Sequence, residues 1–332
     1  MYDFYVEHVL EEIRSRGARR VLLQLPDGLR PYAFDLAETL RVNTGAEIIL
    51  SGDSCYGACD LASRQAEELN VDLLVHYGHT PMIEMKIPVF YVETRIPFKV
   101  DELVEAALPR LKEWKRIGLA TTVQHAYQLT EVADALRAAG KVTYIGKGDA
   151  KTPLPGQVLG CHYLPAISLE EEVDGFLFIG GGQFHPIGLA LSAGKPVVVA
   201  NPYNGTITLF GNSDLMQLAK QRVAAITYAK SANIIGVLVS SKPGQNALDL
   251  AHHLVEKLRE KKFKAFPIYL DEVKESTLIN FSEAEAFIDT ACPRIALDGV
   301  PGFERPILTS LEAQVLLGEK SWEELWGRGY LA

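Results

Sequence analysis

Cysteine is scarce in this 332-residue chain. Its four cysteines, Cys55, Cys59, Cys161 and Cys292, are too few and too dispersed for a disulfide framework. No apolar run approaches the roughly 20 residues that cross a bilayer, so no helical membrane span is expected. The N-terminus MYDFYVEHVLEEIRSRG lacks the basic start and apolar core of a signal peptide, and a cytoplasmic location is expected. Basic charge is also short: 33 Lys and Arg stand against 42 Asp and Glu, for a net charge of -9. No long basic stripe is left to follow a phosphate backbone, so no direct nucleic-acid partner is expected. What the chain does have is apolar content. At 48% hydrophobic and 23% charged residues it is folded and globular, and its length suits two or three domains.

An internal pattern occurs three times: an amphipathic helix, a short apolar strand, a polar or glycine-bearing turn, a second helix and a second strand. In the first copy a helix over 3–16 leads to VLLQL (21–25), the turn Pro26-Asp27-Gly28, a helix through Leu40 and EIIL (47–50). In the second, DELVEAALPRLKEWK leads to IGLATT (117–122), Val123-Gln124-His125, the helix AYQLTEVADALRAAG and KVTYIG (141–146). In the third, NSDLMQLAKQRVAAITYAK leads to IIGVLVS (234–240), Ser241-Lys242-Pro243-Gly244, the helix QNALDLAHHLVEKLREKK and FKAFPIYL (263–270). A third strand follows in each copy, at 71–78, 173–182 and 284–291, and further strands at 88–92, 195–201 and 306–309 close them. Strands alternating with helices predict parallel sheets. The fold class expected is α/β, with three tandem Rossmann-like domains over 1–98, 99–211 and 212–332 arranged around a central site.

In open parallel sheets, ligands sit beyond the carboxyl ends of the strands. The cysteines fall there: Cys55 and Cys59 in SGDSCYGACD, Cys161 in PLPGQVLGCHYLP, and Cys292 in TACPR. Each repeat therefore offers a cysteine from a strand-end loop, and these meet only if the domains share a centre. Such loops make up much of any α/β protein, so inert cysteines and a metal centre are both open on this ground. If they do converge, three thiolates without a partnering CxxC pair favour an iron–sulfur cluster with one open iron over a closed structural zinc site. Cys55 either supplies a fourth ligand or packs within its loop, and packing is the expectation.

The same strand-end layer carries polar groups suited to a small ligand. Gly180-Gly181-Gly182 follows an apolar strand and precedes a helix, so its backbone can approach a ribose or carboxylate, or simply turn. Gly78, His79, Thr122, Gln124, Ser240 and Gln245 either hydrogen-bond an adenine or amino-acid moiety or cap helices. Asp27 and Asp298 are candidates for an ammonium group, Tyr127, Tyr163 and Tyr203 for adenine stacking or core packing, and His125 and His185 for helix capping or substrate contact. Of His252 and His253, mid-helix, at least one is expected at the surface.

GACD (57–60 with its glycine), GHT (78–80), TTVQH (121–125), PGQVLGC (155–161), FIGGGQFHPIGLA (178–190), KPGQ (242–245) and ACPR with a downstream LD (291–298) together resemble the archaeal diphthamide-synthesis family of radical 3-amino-3-carboxypropyl transferases. The resemblance covers nearly the whole chain. It implies a homodimer in which Cys59, Cys161 and Cys292, matched through GACD, LGC and ACPR, hold a [4Fe-4S] cluster; Cys55 lies outside the family pattern. It also implies cleavage of the Cγ–S bond of S-adenosylmethionine to a 3-amino-3-carboxypropyl radical and methylthioadenosine, with electrons from a separate donor. The carbon fragment is then added to the imidazole C2 of a histidine on translation elongation factor 2. Two other readings are carried: a quinolinate synthase-like [4Fe-4S] dehydratase with a Lewis-acid iron, and a non-catalytic nucleotide-binding protein with inert cysteines.

Overall fold

The computed structural model describes residues 2–326 and 330. Thirteen strands fall into three sheets among these residues. The first contains β1 (Arg20–Gln24), β2 (Glu47–Leu50), β3 (Leu73–Tyr77) and β4 (Val89–Val92), in the order β2-β1-β3-β4. The second contains β5 (Arg116–Thr121), β6 (Val142–Ile145), β7 (Gly175–Ile179), β8 (Val197–Ala200) and β9 (Ile207–Phe210), in the order β6-β5-β7-β8-β9. The third contains β10 (Ile234–Ser240), β11 (Lys264–Leu270), β12 (Ala286–Asp289) and β13 (Ile307–Thr309), in the order β11-β10-β12-β13. The α/β class with parallel sheets expected from the repeats is what the chain adopts.

Each central strand is an apolar run because helices cover both faces of its sheet. Leu73, Leu74, Val75 and Tyr77 are all fully buried, as are Phe176, Phe178 and Ile179 in the second sheet. Every pairing is parallel except β8 with β9, an edge strand that the repeat pattern did not foresee. Parallel register puts the carboxyl ends of neighbouring strands on one edge: Gln24 of β1 pairs with His76 of β3, and Tyr77 with Val92.

The chain divides into two compact units. One comprises the residues up to Pro97 together with Val123–Tyr127 and Lys242–Gly244, the turns that follow β5 and β10. Its core lies between β1, β3 and the helices Val6–Arg16 and Ala33–Thr44. The other unit holds the second and third sheets, and a single hydrophobic cluster runs through both, from Phe176 and Val197 to Val237 and Ile288. Within it the helix Asn212–Lys230 is anchored by Arg222, which donates to the Glu312 carboxylate at 2.8 and 2.6 Å and to the Ile307 carbonyl at 2.7 Å. Among the described residues no helix is long and apolar enough to cross a membrane.

Candidate functional site

In the first unit, the loop between β2 and the helix Ser63–Glu68 carries Cys55 and Cys59. It is pinned from two directions. Lys242 Nζ lies 2.7 Å from both carboxylate oxygens of Asp60, and both side chains are buried. Gly244 donates its N–H to the Cys59 carbonyl at 2.8 Å. A Cβ on Gly244 would stand 2.5 Å from the Cys59 Cα, so only glycine permits this approach. Cys59 is half-buried beside it.

Below the loop, the amide of Gln24 acts as a pivot. Its Nε2 donates to the Asp60 carbonyl at 2.7 Å and its Oε1 accepts the Ala62 N–H at 3.1 Å. Backbone groups thus fix which end of the amide is oxygen, and His76 Nδ1, 2.9 Å from that oxygen, must carry a proton. His76 Nε2 is left with a lone pair, 2.9 Å from Nδ1 of His79. Burial holds His76 well below the usual imidazole range and brings His79 down to about 4, so both rings are neutral at pH 7. Cys55 is buried in the same region, and burial, reinforced by the Asp60 charge, pushes its thiol up to about 12.

Gly78 precedes His79 with φ +86° and gives its carbonyl to Gln124 Nε2 at 2.7 Å. His125 is buried with Nδ1 3.3 Å from the Ile96 carbonyl, and burial lowers it to about 4 against that hydrogen bond. Asp27 is exposed and paired with Arg30 at 3.2 Å. Tyr127 lies beneath the guanidinium of Arg95.

In the second unit, Cys161 is exposed at the tip of a tight turn closed by paired backbone bonds between Leu159 and His162. His162 Nε2 sits 2.5 Å from the Asp149 carboxylate. Burial alone would raise Asp149, but the His162 contact and the N–H groups of Thr152 and Lys151 outweigh it and hold it at about 2. Cys292 is half-buried at the start of the helix Pro293–Asp298, with its N–H donated to Asp289 at 2.9 Å. Burial raises the Asp289 carboxyl to about 7 against the N–H groups of Cys292 and Ala291.

One tyrosine brings these two cysteines into a single neighbourhood. Tyr163 is fully buried, and its hydroxyl has no hydrogen-bond partner among the described residues. Burial pushes that hydroxyl well above its ordinary value, and the charges of Cys161, Arg294, Asp298 and Cys292 all act on it. Gly188 makes room for it: a Cβ there would lie 2.1 Å from the hydroxyl oxygen. Tyr163 is therefore a core side chain packed against Gly188, within electrostatic reach of both cysteines.

The remaining candidates of this unit are spread over the strand ends. Gly182 has φ +76°, a conformation that favours glycine, and a Cβ on Gly181 would meet the half-exposed Tyr203 ring at 3.1 Å. Thr122 and Gln245 are half-buried and Ser240 is buried. Asp298 is exposed and paired with Arg294 at 3.0 Å, whose guanidinium stacks on Phe184 at 4.1 Å. His185 stacks against Phe178, and His252 and His253 are both exposed. The candidates overlooked in the sequence are Gln24, His76, Asp60 and Lys242. A polar residue inside an otherwise apolar strand run was the available signal for the first two.

Comparison with known proteins gives consistent matches. The model of the diphthamide synthesis protein family matches residues 25–327. The chain is 36% identical to 2-(3-amino-3-carboxypropyl)histidine synthase of Pyrococcus horikoshii, over 98% of this chain and 95% of that protein. It is 30% identical to subunit 1 of the synthase of that name from Saccharomyces cerevisiae, over 95% of this chain and 75% of that protein. Among solved structures it superposes on Dph2 from Pyrococcus horikoshii with a 4Fe-4S cluster, with a TM-score of 0.88, 35% identity, and coverage of 97% of this chain and 93% of that one.

Proposed function

Because this chain belongs to the diphthamide synthesis protein family, we propose that it is the 2-(3-amino-3-carboxypropyl)histidine synthase that begins diphthamide biosynthesis. The observation that carries this reading is the near full-length match to a synthase of that name and to a related solved structure with a 4Fe-4S cluster. The enzyme is a transferase that uses S-adenosylmethionine as substrate and a [4Fe-4S] cluster as cofactor. The same match sets aside the dehydratase and the non-catalytic binder.

Cys59, Cys161 and Cys292 are the proposed cluster ligands, one from each of three α/β domains over 1–98, 99–211 and 212–332. Their environments suit the group. All three thiols are at least partly accessible, while Cys55 is buried. The orphaned Tyr163 hydroxyl, acted on by Cys161 and Cys292, is a donor in search of an acceptor, and thiolate or sulfide supplies one. When bound, the cluster supplies one electron to the Cγ–S bond and an open iron for the substrate.

The protein's own task is orientation and exclusion of water, so that Cγ rather than the methyl or 5′ carbon is the one cleaved. Gly181 and Gly182, with their open backbone, and Thr122, Gln124, Ser240, Gln245, Gly78, His79 and Asp298 are the proposed contacts for the adenosyl and methionyl parts. The acceptor is the imidazole C2 of a histidine on translation elongation factor 2. The enzyme works in the cytoplasm as a homodimer and draws its electrons from a separate donor protein.

The test is anaerobic. Protein reconstituted with iron and sulfide is reduced, S-adenosylmethionine is added, and the products are identified by mass spectrometry. Methylthioadenosine with a four-carbon aminobutyrate-type fragment is expected. 5′-Deoxyadenosine, or an intact substrate in the presence of an intact cluster, would overturn the reading.

A further inference from the structure

Cys55, His76 and His79 each present a ligand atom, one sulfur and two ring nitrogens, and these atoms all lie within 4.8 Å of one another. None of the three is among the proposed cluster ligands, and no step of the transfer reaction calls on Cys55 or His76; His79 is also a proposed substrate contact, so its variant is read on metal content and not on activity. We propose that these residues form a second metal site, for a borderline divalent cation of the zinc(II) class, in which one thiolate and two imidazoles bind the ion and the fourth position is left to water.

The donor set selects the ion. One soft sulfur and two imidazoles suit zinc, whereas calcium and magnesium take oxygen ligands. The spacing suits it as well. A tetrahedral ion with bonds of about 2.0 Å to nitrogen and about 2.3 Å to sulfur needs its donors roughly 3.3–3.6 Å apart. His76 Nε2 and His79 Nδ1 already face each other at 2.9 Å, and all three donors lie within 4.8 Å of one another, so side-chain adjustments bring them to that spacing.

The orientation of His76 is what distinguishes this trio from a chance cluster. A metal-binding histidine typically donates its other ring N–H to an outer partner, which fixes the tautomer and aims the lone pair. Gln24 does this here: its Oε1 is held by the Ala62 N–H and accepts from His76 Nδ1, leaving Nε2 unprotonated and aimed at His79. The rings are neutral, the form that binds metal. Binding displaces the Cys55 thiol hydrogen to solvent as the sulfur–metal bond forms, while the His79 ring proton, held on Nδ1 in the contact with His76 Nε2, moves to Nε2 so that Nδ1 can bind the ion. The ion would tie Cys55 to the end of β3 and so brace the loop that carries Cys59 four residues later.

The holoenzyme tests this directly. Anaerobically reconstituted protein is equilibrated with zinc(II) and desalted, then zinc and iron per chain are measured together with the zinc-edge X-ray absorption spectrum. About one zinc per chain is expected, with a first shell of one sulfur and two imidazole nitrogens. Cys55→Ala and His79→Ala are each expected to lower retained zinc at least tenfold with iron content unchanged; His79 is only half-buried, so its variant serves if Cys55→Ala does not fold. Four results would overturn the proposal: no zinc retained, zinc retained equally by the variants, a first shell of three or more sulfurs, or iron lost along with zinc in Cys55→Ala. The last would place Cys55 on the cluster, and the third would mean zinc had entered the proposed cluster cysteines. Neither result bears on whether S-adenosylmethionine is cleaved.

Discussion

Lys242 and Asp60 form a buried, two-pronged ion pair across 182 residues of sequence, and its carboxylate belongs to the residue that follows Cys59. Removing one partner leaves the other charge buried without its counter-charge, which costs about 3–5 kcal/mol. Lys242→Met is therefore expected to lower stability by that order in denaturant titrations and to reduce iron retention. The double variant Lys242→Met, Asp60→Leu should recover part of the stability, because no unpaired charge remains.

Gly244→Ala tests the close approach at Cys59. The added methyl group would lie 2.5 Å from the Cys59 Cα and 2.8 Å from its carbonyl oxygen, so the loop must move. A loss of about 1–3 kcal/mol is expected from overpacking. Reconstituted iron per chain should fall with it. Pro243→Ala, next to it and exposed, is the control that leaves both unchanged.

Cys59→Ala, Cys161→Ala and Cys292→Ala are each expected to lose the cluster and S-adenosylmethionine cleavage. Cys55→Ala should keep its iron. Iron and sulfide analysis after anaerobic reconstitution, read beside the visible absorption of the cluster, decides the ligand set.

Tyr163→Phe removes only a hydroxyl that has no partner among the described residues. Without the cluster, stability should stay within about 1 kcal/mol of the parent or rise, since an unsatisfied buried polar group is lost. With the cluster present, the midpoint potential should become more negative, because a hydrogen-bond donor near the sulfurs favours the reduced state. A potentiometric titration monitored by electron paramagnetic resonance makes the measurement.

His125 gives a pH dependence with a definite sign. Its folded value of about 4 lies below the ordinary imidazole value of 6.5. The unfolded chain therefore binds the proton first as pH falls. The stability His125 contributes is fully present above about pH 6.5 and is lost between there and pH 4, to a total of about 3 kcal/mol. Asp289 runs the opposite way, since its raised value makes stability fall as pH rises toward about 7. Comparing wild type with His125→Gln isolates the histidine: the parent should lose ground to the variant below pH 6.5 in chemical unfolding.

The sheets were legible because each central strand is an apolar run bounded by turn residues, and because the run recurs after helices of similar length. β9 was not, since Thr208 and Leu209 are exposed and its burial follows neither a strand nor a helix period. At the site, GACD and KPGQ stood out as separate motifs, but nothing local says that Asp60 and Lys242 meet. That pairing depends on where two strand-end turns are carried by the fold. Gln24 and His76 were hidden for a different reason: each sits in a strand whose other residues are apolar, and only the register β1–β3 makes them neighbours. Cys55 was read as packing, and its burial agrees with that, while its two histidine neighbours come from the end of another strand.

The first compact unit is discontinuous, taking Lys242–Gly244 from far down the chain. During synthesis, its N-terminal portion leaves the ribosome long before the segment that anchors the Cys59 loop has been made. The loop therefore acquires its buried ion pair and its backbone clamp only after residue 244 has emerged. On the proposed ligand assignment, loading of iron onto Cys59 waits until most of the polypeptide exists, which sets an order of assembly.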